Sequence, residues 1–336
     1  MALVCCAGGA VGLAQAQIGA FGGGIGMPPV GPQERSVDEW LVRLQQASRV
    51  PSYMGTFVVS AASGAMASAR IWHVCEGGVQ MERVEALSGA PRSTFRRNDA
   101  VMTFLPDART LRIERREGGG VFPDLFTAGA LGSTADFYAA RQIGEGRVAG
   151  FEADIVQFKP TDRLRFGYRI WSEKRTGLVI KTQTLDSSGR VLEQTAFSEL
   201  QLGAPVNASA LRRMMNNTQG YRVEKAERVR TTAEAQGWAL KAPVPGFSPQ
   251  SCYRAAAAAS VPAVQWIFSD GLATVSLFME PFDAARHASE GTATLGATHT
   301  LVKRLTLSDA DWWVTAVGEV PVSTLQVFID SLERRK

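Results

Sequence analysis

The sequence predicts a mainly β protein with some α-helix: a large antiparallel sheet that curves around one apolar face and carries packed helices, followed by a smaller α+β domain. Apolar and polar residues alternate with a period of two through most of the chain between Tyr53 and Leu200. The turns between these segments are too short for crossover helices, so neighbouring strands should be antiparallel. About ten such strands in one twisted sheet tend to curl into a trough.

The N-terminus has the pattern of an export signal. Residues 2–14 are small and apolar, and Ala14-Gln15-Ala16 has the form of a signal-peptidase site. We therefore expect residues 1–16 to be removed as a signal peptide. The apolar run is not preceded by Lys or Arg, so a disordered apolar tail is the alternative. Residues 17–35 are rich in Gly and Pro and are predicted to form a flexible leader.

The large domain is predicted to span residues 36–204. Ser36 and Glu39 have the spacing of a capping box, which predicts a helix that begins here and ends before Pro51. Residues 121–143 hold aromatic side chains among Gly and Pro, and we expect a long loop that covers the sheet. The predicted strands are residues 53–59, 67–75, 79–87, 93–97, 100–105, 111–117, 148–158, 164–171, 178–185 and 191–200.

A linker, residues 205–220, leads to the predicted small domain, residues 221–336. Asp270-Gly271 lies between two apolar runs and is a strong signal for a two-residue hairpin turn. Pro321 opens a final helix, because proline is favoured at the first position of helices. The predicted strands are residues 238–241, 264–269, 272–279, 299–307 and 312–320.

The sequence holds no recognisable catalytic or metal-binding arrangement. His73, His287 and His299 lack metal-ligand spacing with either Cys75 or Cys252, and no G-x-S-x-G motif marks a nucleophile. The glycine runs lack the Gly-Lys-Ser/Thr of a phosphate loop. A net charge of +4 is too small for a dedicated nucleic-acid binder. We therefore predict a binding protein without catalytic residues, metal or cofactor.

Cys75 and Cys252 remain after signal cleavage and fall in different predicted domains. A disulfide requires Cα atoms within about 7 Å, so it would have to join the two domains. We favour two separate buried thiols.

The concave face of the large sheet is the candidate binding surface. An apolar trough with arginines at its rim suits acyl chains that carry anionic headgroups. The alternative is a filled core over which the cover packs shut. The candidate trough residues are Phe57, Trp72, Phe104, Phe122, Phe166 and Tyr168.

A strand and turn at residues 82–92 lead into the candidate polar contacts. Ser88-Gly89-Ala90-Pro91 ends the strand, and Arg92, Arg96 and Arg97 follow. Guanidinium groups form bidentate hydrogen bonds with carboxylates and phosphates. These arginines are candidates for contact with an anionic group or a partner, and simple exposure to solvent is the alternative.

Several short motifs occur in an order that resembles a known family. They are Tyr53-x-Gly55-Thr56-Phe57, Glu82-Arg83-x-x-x-Leu87-x-Gly89-x-Pro91-Arg92, Phe104-Leu105-Pro106-Asp107, Tyr168-Arg169-Ile170-Trp171 with Gly177-Leu178, Ser269-Asp270-Gly271-Leu272 with Ser276-Leu277-Phe278, and Gly318-Glu319-Val320-Pro321. In this order, behind an export signal, they resemble the RseB/MucB family of periplasmic regulators of the stress sigma factor sigma-E.

The resemblance implies an unclosed antiparallel half-barrel with packed helices, similar to the lipoprotein carriers of the periplasm, beside a smaller α+β domain. It also implies a periplasmic protein that binds the periplasmic region of a single-span anti-sigma factor (RseA/MucA-like). The bound region would be shielded from proteolysis and released when lipid or lipopolysaccharide occupies the regulator. No enzyme activity is implied.

Two other functions remain open from the sequence. A periplasmic carrier of lipid or lipoprotein could use the same trough, although a simple carrier does not need the second domain. An envelope hydrolase would need a site that depends on one of the three histidines. The sequence also allows a homo-oligomer.

Overall fold

The computed structural model describes residues 35–47, 50–115, 134–225, 228–256, 263–287, 289–307 and 310–335. Within these ranges, which belong to one compact unit, the chain forms a twelve-stranded sheet, a seven-stranded sheet and a small two-stranded one. We call the parts built on the two larger sheets the large lobe and the small lobe. The predicted signal peptide, the predicted leader before Arg35, and Phe122 with most of its loop lie outside the described residues.

The large lobe is built from two antiparallel meanders that form one continuous sheet. Its elements in chain order are α1 (Val37–Ala47), β1 (Ser52–Ala61), β2 (Met66–Glu76), β3 (Val79–Ala86), β4 (Ser93–Arg97), β5 (Ala100–Leu105), β6 (Thr110–Arg115), α2 (Thr134–Phe137), β7 (Tyr138–Val148), β8 (Phe151–Pro160), β9 (Gly167–Glu173), β10 (Val179–Leu185), β11 (Val191–Leu202), α3 (Ala208–Asn216) and β12 (Arg222–Lys225). The strand order is β12-β6-β5-β4-β3-β2-β1-β11-β10-β9-β8-β7. The first meander therefore meets the second where β1 pairs with β11.

The predicted fold class is confirmed, because the protein is mainly β and its sheets are unclosed. Among the described residues, the outer strands β12 and β7 of the twelve-stranded sheet are not paired with each other. Every strand pair in this sheet is antiparallel except the one between β6 and β12, in which Arg222 lies opposite Thr110.

Two strands differ from the sequence prediction. β12 follows the predicted linker, yet it pairs with β6, so the large sheet continues past the predicted boundary at Gly220. β7 begins at Tyr138, inside the residues predicted as a loop, and it pairs along its length with β8. As an edge strand it is mostly solvent-exposed, and Arg141 and Glu145 interrupt any apolar alternation.

Helix α1 begins where the capping box predicts. The Ser36 N–H donates to Glu39 Oε2 at 2.7 Å, and the Glu39 N–H donates to Ser36 Oγ at 3.2 Å. The apolar face of the helix, with Trp40 and Leu44, packs on the buried residues of β8 and β9. The helix thereby covers one half of the large sheet.

Helix α3 covers the other half of the large sheet. Asn207 caps it by accepting a hydrogen bond from the Ala210 N–H at 2.8 Å. Its Leu211 and Met215 are buried against a cluster that contains Phe104 from β5.

The small lobe packs one helix on its sheet, as predicted. Its elements are β13 (Arg228–Thr231), β14 (Trp238–Leu240), β15 (Ser248–Ala255), β16 (Val264–Ser269), β17 (Thr274–Pro281), β18 (Gly291–Leu295), β19 (Thr298–Leu307), β20 (Ala310–Gly318), α4 (Val322–Ser331) and β21 (Leu332–Arg334). The seven-stranded order is β13-β15-β16-β17-β20-β19-β18. Phe328 of α4 packs against Phe247 and Phe268 in the centre of the core.

Candidate functional site

The predicted trough residues lie in separate apolar clusters. Phe57 packs edge-on to Phe197 in one cluster, with 6.3 Å between the ring centroids. Trp72 and Phe104 share a second cluster beneath α3. Tyr168 lies in a third cluster beneath α1. The structure therefore brings Trp72 and Phe104 together but does not join them to the others.

Phe166 lies at the junction of the two lobes. Its ring centroid is 5.7 Å from that of His299, which belongs to β19 of the small lobe. Phe122, the remaining candidate trough residue, lies outside the described part of the chain. Lipid contact by any of these residues stays a prediction.

Two of the three candidate arginines are exposed. Arg92 and Arg97 face solvent, whereas Arg96 is only 7% exposed. The Arg96 Nε–H donates to the carbonyl oxygen of Asn98, which turns the chain with a φ of 52°. Because Arg96 is engaged in closing this turn, only Arg92 and Arg97 are placed to reach a ligand or partner.

Arg83, which follows Glu82, packs its guanidinium group against aromatic rings. The Arg83 guanidinium lies 4.8 Å from the Trp72 ring centroid and 5.6 Å from that of Phe95. These residues are register neighbours, since Arg83 pairs with Trp72 on β2 and with Phe95 on β4. The Arg83 guanidinium also binds Glu85, with 3.0 Å between Nη2 of Arg83 and Oε2 of Glu85. The stack closes the rim of the apolar cluster under α3.

Glu82 and His73 form a buried pair on the other face of the same strands. Glu82 Oε1 and His73 Nδ1 are 2.9 Å apart, and each side chain is 1% exposed. His73 Nε2 lies 3.1 Å from the Val50 carbonyl oxygen, and the ring stacks on Tyr53 at 4.5 Å. Burial, with the nearby Glu82 charge, raises the pKa of Tyr53 well above its usual value. The pair ties β1, β2 and β3 together inside the sheet.

The most concentrated polar arrangement joins the two lobes. Arg165, from the segment before β9, lies with Nη1 3.0 Å from Oδ2 of Asp270, which stands after β16 in the small lobe. Both side chains are completely buried. Arg165 also donates from Nη2 to the Pro245 carbonyl oxygen at 2.7 Å, and from Nε to Asp162 at 3.0 Å. One guanidinium thus joins its own segment to two separate segments of the small lobe.

Asp270 is surrounded by hydrogen-bond donors. Its Oδ1 accepts from the N–H groups of Leu272 and Ala273, at 2.9 and 2.7 Å. Its Oδ2 accepts from the Tyr138 hydroxyl as well as from Arg165, each at 3.0 Å. Burial raises the pKa of the Asp270 carboxyl, while the Ala273 N–H and the Arg165 charge oppose that rise. We assign the ionised form, because every neighbour of both oxygens is a donor.

Aromatic rings enclose the ion pair. The Arg165 guanidinium lies 4.5 Å from the Phe137 ring centroid and 5.0 Å from that of Phe247. A Cβ on Gly246 would lie 2.7 Å from the guanidinium nitrogens, so this position needs glycine for close approach. The backbone φ of +77° at Gly246 is a second reason why this position needs glycine. The junction therefore encloses the Arg165 guanidinium, which is shielded from bulk solvent.

Further contacts complete the junction. The Thr134 hydroxyl donates to the Asp270 carbonyl oxygen at 2.9 Å, and the Thr324 hydroxyl of α4 donates to the Leu164 carbonyl oxygen at 2.7 Å. Farther along, the Ala297 N–H donates to Oε2 of Glu193 in β11 at 3.3 Å. The lobes are thus held by polar contacts at both the β16–β17 and the β18–β19 turns.

The sequence does not predict the pairing of Arg165 with Asp270. It predicts Asp270 only as part of a hairpin turn and Arg165 only as part of the strand 164–171. One sequence signal did point to this pair, because Asp270 is a charged residue between two apolar runs. An acidic side chain buried there needs a hydrogen-bond donor or a cation from another part of the chain. The sequence alone does not say which of its many arginines that partner is.

The described residues offer no site for metal chemistry. They contain no cluster of three or more His, Cys, Asp or Glu side chains suited to a metal ion. Cys75 is half-buried and Cys252 is buried, and both are free thiols. In the part of the chain that the structure describes, none of the helices combines the length and apolar character needed to cross a membrane. The polar contacts at the junction are suited to fixing the position of one lobe relative to the other.

Both lobes match family models. The model of the MucB/RseB N-terminal domain matches residues 36–215, and that of the MucB/RseB C-terminal domain matches residues 232–333. The chain is 31% identical, over 88% of its length and 90% of the relative, to the sigma factor AlgU regulatory protein MucB of Pseudomonas aeruginosa. It is 26% identical, over 48% of its length and 51% of the relative, to the sigma-E factor regulatory protein RseB of Haemophilus influenzae.

Solved structures of similar shape extend over both lobes. The crystal structure of MucB in complex with MucA(peri) superposes with a TM-score of 0.67 at 28% identity, over 88% of this chain and 98% of that one. The Pseudomonas aeruginosa MucA/MucB complex gives a TM-score of 0.68 at 27% identity, over 89% and 99%. The likeness thus includes the arrangement of the two lobes as well as each lobe alone.

Proposed function

Since this chain belongs to the MucB/RseB family, we propose that it regulates an envelope-stress sigma factor from the periplasm, by binding the periplasmic region of a membrane-spanning anti-sigma factor. The observation that carries this proposal is the likeness across both lobes to MucB in its complex with MucA(peri). A shared two-lobe frame supports a shared mode of partner binding. The protein acts as a regulatory binding protein and not as an enzyme.

The finer mechanism belongs to the same proposal. The bound periplasmic region is shielded from the site-1 protease, and lipid or lipopolysaccharide releases it. A ligand can shift such an equilibrium only by its difference in affinity for the two states. Lipid must therefore bind the free regulator more tightly than the complex.

The direct test is complex formation with purified components. The chain starting at Gln17 is mixed with the periplasmic region of a single-span anti-sigma factor from the same organism, and the Kd is measured by calorimetry. We expect a complex that slows cleavage by the site-1 protease. Absence of binding at tens of micromolar contradicts the proposal.

Release is tested separately on the assembled complex. Saturating lipopolysaccharide should weaken partner binding and restore cleavage, and unchanged partner affinity contradicts the release step alone. Transfer of acylated cargo between vesicles, without partner binding, would favour the carrier function instead.

The predicted arginine contacts can be tested in the same assay. Arg92→Ala and Arg97→Ala remove exposed guanidinium groups from the β3–β4 region. Arg212→Ala removes another exposed guanidinium group, from α3, and serves as the matched control. Loss of partner or lipopolysaccharide affinity in the first two variants, with the control unchanged, supports the contact.

A further inference from the structure

The outer strands of the two larger sheets differ sharply in charge. In the described part of the chain these strands are β12 and β7 in the large lobe and β13 and β18 in the small lobe. The first three carry charged side chains, whereas β18, Gly291-Thr292-Ala293-Thr294-Leu295, carries neither charge nor proline. The charged residues are Arg222, Glu224 and Lys225 in β12, Arg141, Glu145 and Arg147 in β7, and Arg228 and Arg230 in β13.

An outer strand exposes a row of backbone N–H and C=O groups that can pair with another chain. Proteins normally prevent this pairing with charged side chains, proline or a covering segment. All five residues of β18 are exposed, and Leu295 is 73% exposed. Among the described residues β18 pairs only with β19, and no described strand lies along its other side. Threonines at alternate positions favour an extended conformation.

From this contrast we propose that β18 is a docking strand to which an extended segment of the partner polypeptide adds as a further strand. The inference rests on the proposed function, since the partner is the periplasmic region of the anti-sigma factor. Backbone hydrogen bonds along β18 supply affinity, and side chains at alternate positions supply specificity.

The charges at the two ends of β18 define the partner segment. Glu290 is exposed at one end, where its Oε1 accepts the Arg304 N–H at 2.9 Å. At the other end, the Glu193 carboxylate lies beside Gly296 and accepts the Ala297 N–H at 3.3 Å. A complementary segment therefore has an uncharged, β-prone centre about five residues long, flanked by Lys or Arg.

The same charges disfavour a second copy of this chain. In an antiparallel self-pair, Gly291 of one copy would lie opposite Leu295 of the other. Glu290 would then approach the Gly296 turn, where Glu193 already places a carboxylate. Like charges placed together oppose the association.

The docking strand is continuous with the lobe junction. Its turn contacts Glu193 of β11, and the next strand begins beside Phe166 through His299. A segment paired with β18 thus ends where the two lobes meet. Partner binding there would add contacts between the lobes.

Hydrogen–deuterium exchange on the full mature chain, with and without the anti-sigma periplasmic region, tests the inference without any substitution. We expect the amides of residues 291–295 to exchange at least tenfold more slowly in the complex. A complex that forms with unchanged exchange at β18 overturns the docking strand and leaves the proposed function standing. Absence of any complex overturns both. Protection in the free chain that grows with its concentration assigns the strand to a second copy and overturns the partner assignment.

Substitutions give a second, independent readout. Thr292→Lys with Thr294→Lys gives β18 the charge that the other outer strands have, and we expect the Kd to rise about tenfold or more. Val229→Lys, on outer strand β13 of the same sheet, is the matched control and should leave the Kd unchanged. Glu290→Lys should weaken binding more at low salt than at high salt. Equal affinity for the lysine variant and the control contradicts the inference, provided that both melt at the wild-type temperature.

Discussion

Arg165 and Asp270 meet across the boundary between the two lobes, with 3.0 Å between Nη1 and Oδ2 and with both side chains fully buried. Removing two charges from water costs much of what their attraction returns, so such a pair contributes little net stability. Removing one partner is different, because the other charge is then stranded in the interior. A shifted docking of the lobes that kept both side chains buried but apart would leave two charges unpaired in the interior, so the pair favours the observed fit of the lobes.

Asp270→Asn should lower the free energy of unfolding by about 3–5 kcal/mol. The amide oxygen can still accept the Leu272 and Ala273 N–H groups, so the loss reports the contacts of Oδ2, which are the ion pair with Arg165 and the hydrogen bond from Tyr138. The amide nitrogen, a donor, would face the Arg165 guanidinium. Urea unfolding followed by tryptophan fluorescence measures the change.

A double variant and a surface control complete this test. Arg165→Met combined with Asp270→Asn should cost much less than the sum of the single losses, because no charge remains stranded. Glu224→Gln, in an exposed pair with Arg112, should have only a small effect. A loss for Asp270→Asn as small as that of the control would contradict the buried-pair assignment.

Gly55→Ala should destabilise the large lobe by about 1–3 kcal/mol, because the added methyl group has no room. A Cβ at this position would lie 2.5 Å from the Glu199 carbonyl oxygen and 2.8 Å from the Phe197 ring. Both belong to β11, so the clash falls where the two meanders join. Thermal unfolding of the variant measures the effect.

Gly291→Ala is the matched control for this substitution. A Cβ there meets nothing within 4 Å, and the backbone is extended. We expect unchanged or slightly higher stability, since alanine restricts the unfolded chain more than glycine does. If Gly55→Ala were as stable as the control, the close approach of β1 and β11 would be wrong.

Local sequence signals predicted much of the fold. The Ser36–Glu39 capping box fixes the start of α1, because its reciprocal hydrogen bonds depend only on residues three apart. The alternating strands and their turns are similarly local. β18 was not predicted. The strand, Gly291-Thr292-Ala293-Thr294-Leu295, buries neither face, so its sequence lacks the alternation of apolar and polar residues that marks the other strands.

The grouping of the candidate trough residues was harder to predict than the fold. The alternation of apolar and polar residues along a strand correctly predicts which side chains share a face. It does not predict which apolar cluster each side chain joins. Trp72 and Phe57 lie on opposite faces of paired strands, which separated two candidate trough residues. The partnership of Arg165 with Asp270 joins positions far apart in the chain, and no local pattern encodes it.

Asp186 should contribute stability that is lost in acid. The Ser188 hydroxyl and then the Arg190 backbone and side chain hold the pKa of its carboxyl well below the usual range. A lowered pKa means that the contribution is complete above the unfolded pKa near 3.9 and disappears as the pH falls further. Wild-type protein should therefore lose more stability between pH 5 and pH 2 than Asp186→Asn. Ser188→Ala should give an intermediate slope, and parallel curves for all three proteins would contradict the assignment.

The two free cysteines should differ in reactivity. Burial raises the pKa of the Cys252 thiol from 9.0 to about 11, and the Glu234 charge adds to the rise. Only about a thousandth of this thiol is ionised at pH 8, and the thiolate is the reactive form. Cys252 is also only 5% exposed, whereas Cys75 is half-buried. Iodoacetamide at pH 8 should therefore modify Cys75 first in the native chain from Gln17.

Mass spectrometry of the Cys75→Ser variant isolates the second thiol. Native Cys252 should stay unmodified over the time in which unfolded protein is fully alkylated. Because its folded pKa is raised, the contribution of the neutral thiol to stability is complete below pH 9 and is lost as the pH rises through about 11. The variant should accordingly become reactive and less stable together in that range. Rapid modification of Cys252 at pH 8, without unfolding, would place this thiol at the surface and contradict its position in the core of the small lobe.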